Sequence, residues 1–217
     1  LNILLINNMA EPNFADIGKI EAISRLFDGT PYEAFHNCRY ESGAKEYIST
    51  SSAILLEGID FNLEYFPLKH LGYKSVIAVT GELYAGMVHP VSLDIRLGIS
   101  SKLDFAQIKE LWGGVVFAAR EHGYKQLSLD LVPSKNGLCI SVSASGTTSV
   151  LTAARRSHAK SKDLICISGR LGAAYFGFQT LERRGDLEKN RMLVGAYLRP
   201  ELSPNTVSQL EDAQIYP

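Results

Sequence analysis

The stretch "PVSLDIRLGI" (90–99) limits the possible folds more than any other part of the chain. Val91, Leu93, Ile95, Leu97 and Ile99 alternate with Ser, Asp, Arg and Gly. A period of two is the mark of a strand with one face in a core and the other outside it. Such a strand needs a sheet around it and a layer to cover its apolar face.

Both are legible nearby. "EYISTSSAILLEGIDF" (46–61) reads as a second strand. "KQLSLDLV" and "LCISVSASG" read as two more, joined through "PSKNG" by a hairpin-like turn. Pro67 can start a helix with Leu68, Leu71, Val76, Val79, Leu83 and Met87 on its apolar side. Asp104 can cap another, striped by Phe105, Ile108, Leu111, Trp112, Val115 and Val116. An earlier helix at 15–27 aligns Ile17, Ile20, Ile23 and Leu26. "DLICISG" (163–169) reads as a strand leading into the helix "LGAAYFGFQTLERR", and a helix is expected at 204–212 in a more polar tail. The fold class is therefore α/β with a mixed sheet. Residues 46–146 should form one sheet with the helices at 67–87 and 104–121 on a single face. The basic loop 147–162 marks the expected boundary between a domain at 1–148 and the start of a second at 149–217.

Charge and cysteine usage narrow the function classes. Net charge is −1 and pI about 6.6, so no global basic field argues for nucleic acid or an anionic membrane. Cys38, Cys139 and Cys166 are far apart, which suits reduced thiols in a cytoplasmic protein. The opening "LNILLI" is too short for a signal segment or a membrane span. The chain begins with Leu1 and ends on "EDAQIYP" just past a helical pattern, as expected of a fragment.

"LLEGIDF", "FNLEYFPLKHLGYKS" and "DLICISGRLGAAYFGFQTLE" together resemble the thiamine-monophosphate kinases, in the variant found in Bacteroidetes. That family belongs to the aminoimidazole-ribotide synthetase superfamily. The resemblance covers roughly 46–217. It implies a synthetase-like N-terminal domain that forms a homodimer through its sheet, followed by the beginning of a second α/β domain. It also implies transfer of the γ-phosphoryl group of ATP to thiamine monophosphate, giving thiamine diphosphate. Mg2+ would be held by aspartates from separate motifs, since phosphoryl transfer needs positioning and neutralisation of phosphate charge.

The departures from the family pattern fall on that chemistry. The upstream Gly-Asp-Asp run has no counterpart beyond "FDGTP" around Asp28. Thr-Thr-Asp reads "SSA", placing Ala53 where a carboxylate belongs, and the histidine of Glu-Gly-x-His-Phe has become Asp60, the implied substrate contact. Asn-x-Ser-Asp reads Val79, Thr80, Gly81, Glu82, which keeps the charge one methylene further out. Gly-Gly-Asp-Thr reads Ser128, Leu129, Asp130, Leu131. Arg-x-Gly-Ala-Lys reads Arg156, Ser157, His158, Ala159, Lys160, and Arg170 stands for a usual aspartate. The Ile-Ser-Asp-Gly motif would follow Pro217.

By resemblance, Asp130 and Glu82 are the implied metal ligands, and Arg156, Lys160 and Asp130 the implied ATP-phosphate contacts. Other readings of the same residues stand beside these. Glu82 also reads as a solvated or helix-capping carboxylate, and the cluster Arg155, Arg156, Lys160 and Lys162 as a solvated loop. Asp130, between two leucines, needs a partner or a solvent-facing position. The five histidines lack ligand spacing. Two functions follow: a thiamine-monophosphate-kinase-like protein with impaired or lost catalysis, or a non-catalytic paralogue that binds a ligand or forms dimers.

Overall fold

A computed structural model describes residues 14–31, 39–41, 46–149, 152, 160–162, 164, 167 and 169–215. The chain groups into two compact units, Leu1–His36 and Asn37–Pro217. In the first, helix α1 spans Phe14–Phe27 and is interrupted at Gly18, whose φ of 75° breaks the helical path. Ile20 and Leu26 on its apolar side are exposed.

The second unit is built on a five-stranded mixed sheet. Its strands are β1 (Arg39–Glu41), β2 (Glu46–Leu56), β3 (His89–Ser100), β4 (Gln126–Ser134) and β5 (Cys139–Ser149), in the order β1-β2-β5-β3-β4. β5 pairs antiparallel with β2 on one side and β3 on the other, while β4 runs parallel to β3 at the edge. The expected β4–β5 hairpin does not form. "PSKNG" carries the chain past β3 instead, so β5 lands in the centre of the sheet and β4 pairs only with β3. A parallel neighbour requires a crossover, and helix α3 (Phe105–Glu121) supplies it. The reading of 46–61 as one strand is also shortened. β2 ends at Leu56, and a turn with Gly58 at φ 83° follows.

Helix α2 (Leu68–Ala85) lies on the sheet with α3 beside it. Pro67, at φ −62°, precedes its first turn, a position where a missing N–H costs nothing. The expected cap of α3 is present. Asp104 accepts from Gln107 N–H and the Gln107 side chain accepts from Asp104 N–H. Where the two helices cross, their backbones touch. A Cβ on Gly72 would stand 2.0 Å from the Leu111 carbonyl oxygen, and one on Gly114 1.9 Å from that of Lys69.

The alternation of the strands sorts the sheet into two unlike faces. Leu93, Ile95 and Leu97 join Leu55, Ile140, Val142 and Ala144 beneath α2 and α3 in one core. The other face carries Thr50, Ser52, Ile54, Ser141, Ser143, Ser145, Asp94, Arg96, Ser128 and Asp130, none of them fully buried. Beyond the sheet come α4 (Ala173–Glu182), α5 (Arg191–Leu198) and α6 (Thr206–Asp212). Tyr197, Leu198 and Leu202 pack on the main core, and Val207 packs with Tyr84 and Met87. The expected strand at 163–169 falls mostly outside the described residues.

Candidate functional site

The register of the sheet decides which implied ligands can meet. Ala53 lies opposite Val142, Val142 opposite Ile95, and Ile95 opposite Leu129. All four therefore share the helix-covered face. Glu82, on α2, is on that side too, where its carboxylate accepts a hydrogen bond from Ser51 Oγ at 2.5 Å. Asp130 is one residue past Leu129, and one step along a strand reverses the side chain. It sits on the open face, opposite Arg96, with Oδ1 accepting from Leu131 N–H at 2.9 Å.

Asp130 and Glu82, paired by resemblance as metal ligands, are thus separated by the sheet. Three strand spacings of ~4.8 Å also divide Ala53 from β4. Ligands to one Mg2+ must bring oxygens within ~2.1 Å of a single point. The methyl group of Ala53, the Ser51-bound Glu82 and the oppositely facing Asp130 do not fit that requirement. Among the described residues, no group of three or more His, Cys, Asp or Glu side chains could hold a metal ion.

Asp60 has a local task. Its Oδ2 accepts from Leu56 N–H at 2.7 Å, while Asp60 N–H donates to Leu56 O at 2.9 Å, closing the turn at the end of β2. Glu57 does similar work across the sheet end by accepting from Leu138 N–H at 2.7 Å. Lys160 is exposed, and Arg156 lies outside the described residues.

A polar constellation that the sequence reading passed over surrounds Lys74. Its Nζ stands 3.8 Å from the centroid of the Tyr197 ring and 5.0 Å from that of Phe66. Tyr197 makes an edge contact with Phe66 at 5.6 Å and a tilted one with Phe178 at 5.4 Å. Tyr65 OH donates to Glu182 Oε1 at 2.5 Å, and Tyr197 OH reaches the Asp60 carbonyl at 3.4 Å. Burial lowers the Lys74 pKa to about 8, with Asp60 opposing the shift. Burial first, and then the Glu182 hydrogen bond, raise the Tyr65 phenol well above its usual value.

An amine so placed holds a cation against two rings near neutral pH and surrenders its proton under mildly basic conditions. A polar cleft of about 340 Å3 adjoins Tyr65, lined by Asn62, Glu64, Tyr65, Leu181, Glu182 and Arg184. One clue was available in the sequence. Lys74 stands three residues from Leu71 and three from Ile77, both buried, so a lysine there must lay its stem along the core. Its partner Tyr197 belongs to a tail read as polar, so nothing pointed to the cage.

No family model matches the chain. The curated thiamine-monophosphate kinase of Bacillus subtilis (strain 168) is 24% identical over 154 residues, which is 71% of this chain and 45% of that protein. The solved structure of AaThiL complexed with AMPPCP and TMP superposes with a TM-score of 0.80 at 19% identity, covering 92% of this chain and 64% of that one. The chain has a thiamine-monophosphate-kinase-like fold. Thiamine-monophosphate kinase from Stenotrophomonas maltophilia K279a gives 0.69 at 22% identity, over 79% of this chain and 55% of its own. The kinase-like chain thus spans less than two thirds of the length of each. Among the described residues, no helix is long and apolar enough to cross a membrane.

Proposed function

We propose that this chain is a thiamine-monophosphate-kinase-like protein with impaired or lost phosphoryl transfer. One observation carries the reading: the sheet stands between Glu82 and Asp130, and Ala53 offers no oxygen. Transfer of a γ-phosphoryl group depends on cations held against the phosphate oxygens, and this ligand set does not converge on one. ATP and thiamine monophosphate are the ligands the resemblance implies, and the similar AaThiL structure is a complex with AMPPCP and TMP. In this chain the cationic side chains Arg156 and Lys160 are the proposed phosphate contacts. A second domain is proposed to begin after residue 148, and a cytoplasmic location is proposed, in keeping with Cys139 as a free cysteine.

The test is a transfer assay with ATP carrying a labelled γ-phosphate, thiamine monophosphate and Mg2+, on the longest natural form of the protein. Turnover at background level is expected. Robust formation of thiamine diphosphate would overturn the reading.

A second reading, a dimer-forming module, is favoured by the open face of the sheet. Ile54 is 60% exposed and Val132 51% exposed among short Ser and Thr side chains, and a second copy would cover them together with the charges of that face, Arg96 opposite Asp130 and Asp94 beside them. Sedimentation at high micromolar concentration should give a dimer, and Ile54→Lys should give a monomer.

A further inference from the structure

A separate cavity of about 160 Å3 opens at the α2–α3 crossing, lined by Lys69, His70, Tyr73, Gly114, Phe117 and Arg199. At Gly114 the two helices close on each other, the Lys69 carbonyl oxygen filling the place a side chain would take, and the longer side chains around that contact form the cavity wall. The Arg199 guanidinium carbon lies 5.3 Å from the Tyr73 ring centroid and 5.8 Å from that of Phe117, and the two rings are 6.0 Å apart. The cation is thus held by aromatic faces, and among the described residues no carboxylate forms an ion pair with it. Lys69 stands in the first turn of α2, where backbone N–H groups favour negative charge. His70 forms part of the wall, and its Nδ1 has no hydrogen-bond partner. Burial, with Arg199 and Lys69 beside it, lowers the His70 pKa, so the ring adds no third cation at neutral pH.

We propose that this cavity binds a small planar organic anion, a single aromatic ring bearing a carboxylate. The ring would lie against Tyr73, Phe117 and Gly114, with the carboxylate on Arg199 and Lys69. Size sets the first limit: a cavity of ~150 Å3 accepts one benzene ring. Charge sets the second. Glu110 faces His70, and Glu121 is hydrogen-bonded to Tyr73. These two carboxylates offset Lys69 and Arg199 enough to disfavour a phosphate dianion. A planar guanidinium matches a carboxylate through paired N–H groups.

Sodium benzoate is the probe, titrated into the full chain while the amides of His70 and Gly114 and the Arg199 side chain are followed by NMR. Saturable shifts are expected, with a dissociation constant of order 1 mM or tighter, about −4 kcal/mol. Benzamide and inorganic phosphate should bind at least about tenfold more weakly, which isolates the charge and the ring in turn. Arg199→Ala should weaken benzoate about tenfold, and Arg199→Lys less, since the ammonium keeps charge but not the fork. Lys69→Ala, on an exposed side chain, serves as a variant that leaves the packing of Arg199 on the rings untouched. The proposal fails if benzoate produces no saturable shift at these amides. It also fails if benzamide or phosphate matches benzoate, or if the folded Arg199 and Lys69 variants bind benzoate as the parent does.

Discussion

Lys74 Nζ lies 3.8 Å from the centre of the Tyr197 ring, so the cation on α2 meets an aromatic face contributed by α5, more than a hundred residues later. The Phe66 ring, in edge contact with Tyr197, lies 5.0 Å from the same amine. The last helices of the second unit are fastened to the sheet layer partly through this one amine. Its protonation therefore matters to how the unit holds together.

The pH dependence follows from the direction of the shifts. Lys74 ionises near pH 8 in the fold against 10.5 in the unfolded chain. Between those values the unfolded state binds more protons, so stability rises with pH across that window. The phenols shift the other way. Tyr73, Tyr84 and Tyr124 are pushed up from 10 to about 12, in each case chiefly by burial. Above pH 10 the unfolded chain ionises first and stability falls. Urea unfolding between pH 7 and 11 should therefore rise from about 8, crest near 10 and decline. Lys74→Met keeps the stem without the titrating group and should flatten the rising limb alone. Superimposable profiles for parent and variant would remove the buried-cation reading.

The α2–α3 crossing makes a sharper prediction. Gly72→Ala and Gly114→Ala each place a methyl group against backbone carbonyls, at 2.0 and 1.9 Å, where no side chain can swing aside. Each should cost at least the 1–3 kcal/mol typical of overpacking, because whole helices must separate. Gly113→Ala is the control. Nothing lies within 4 Å of its Cβ position, so the change should be neutral or stabilise by up to about 1 kcal/mol through helix propensity. Urea midpoints of the three variants give the comparison directly.

How far the sequence led is clear from particular elements. The alternation through Leu93, Ile95 and Leu97 is the buried set of β3, and Asp104 with Gln107 forms the cap that the motif announces. Both are local signals, in which neighbours in the chain carry the physics. The β4–β5 connection misled because a turn followed by a strand reads the same whether the strand pairs with its predecessor or crosses over it. The side on which Asp130 lies was present in the spacing of Leu129 and Leu131. That it opposes Glu82 required the register across four strands. The Lys74 cage needed a contact between residues 74 and 197 that no periodicity encodes.

Acid behaviour offers a further test. His122 is 4% exposed, its Nδ1 lies 3.0 Å from Tyr84 OH, and its Nε2 has no hydrogen-bond partner. Burial lowers its pKa below 6.5, against a smaller opposing effect of Glu121. As pH falls through 6.5 the unfolded chain takes up the proton that the fold resists, and stability is lost. His70 acts in the same direction. His122→Phe should therefore reduce, without abolishing, the loss between pH 6.5 and 5 in thermal unfolding. An unchanged acid slope in that variant would mean that His122 does not carry it.

The separation of the implied ligands can be tested by rebuilding them. Ala53→Asp with Glu82→Asp places two carboxylates on the helix-covered face, close to Ser51. Ala53 packs against the main core, so the new charge there needs a cation or a proton, and the double variant should be less stable without metal. Two carboxylates bind a hard divalent ion weakly, and a third within reach would strengthen the site greatly. Asp130 is not that third group, because it points away from the other side of the sheet. Mn2+ titrations followed by electron paramagnetic resonance should therefore give weak binding in the double variant. The affinity should be unchanged, within a factor of about two, when Asp130→Asn is added, and thiamine monophosphate turnover should stay at background. A loss of tenfold or more on adding Asp130→Asn, about 1.4 kcal/mol, would mean that Asp130 reaches the same ion and that the two faces of the sheet do not divide the site.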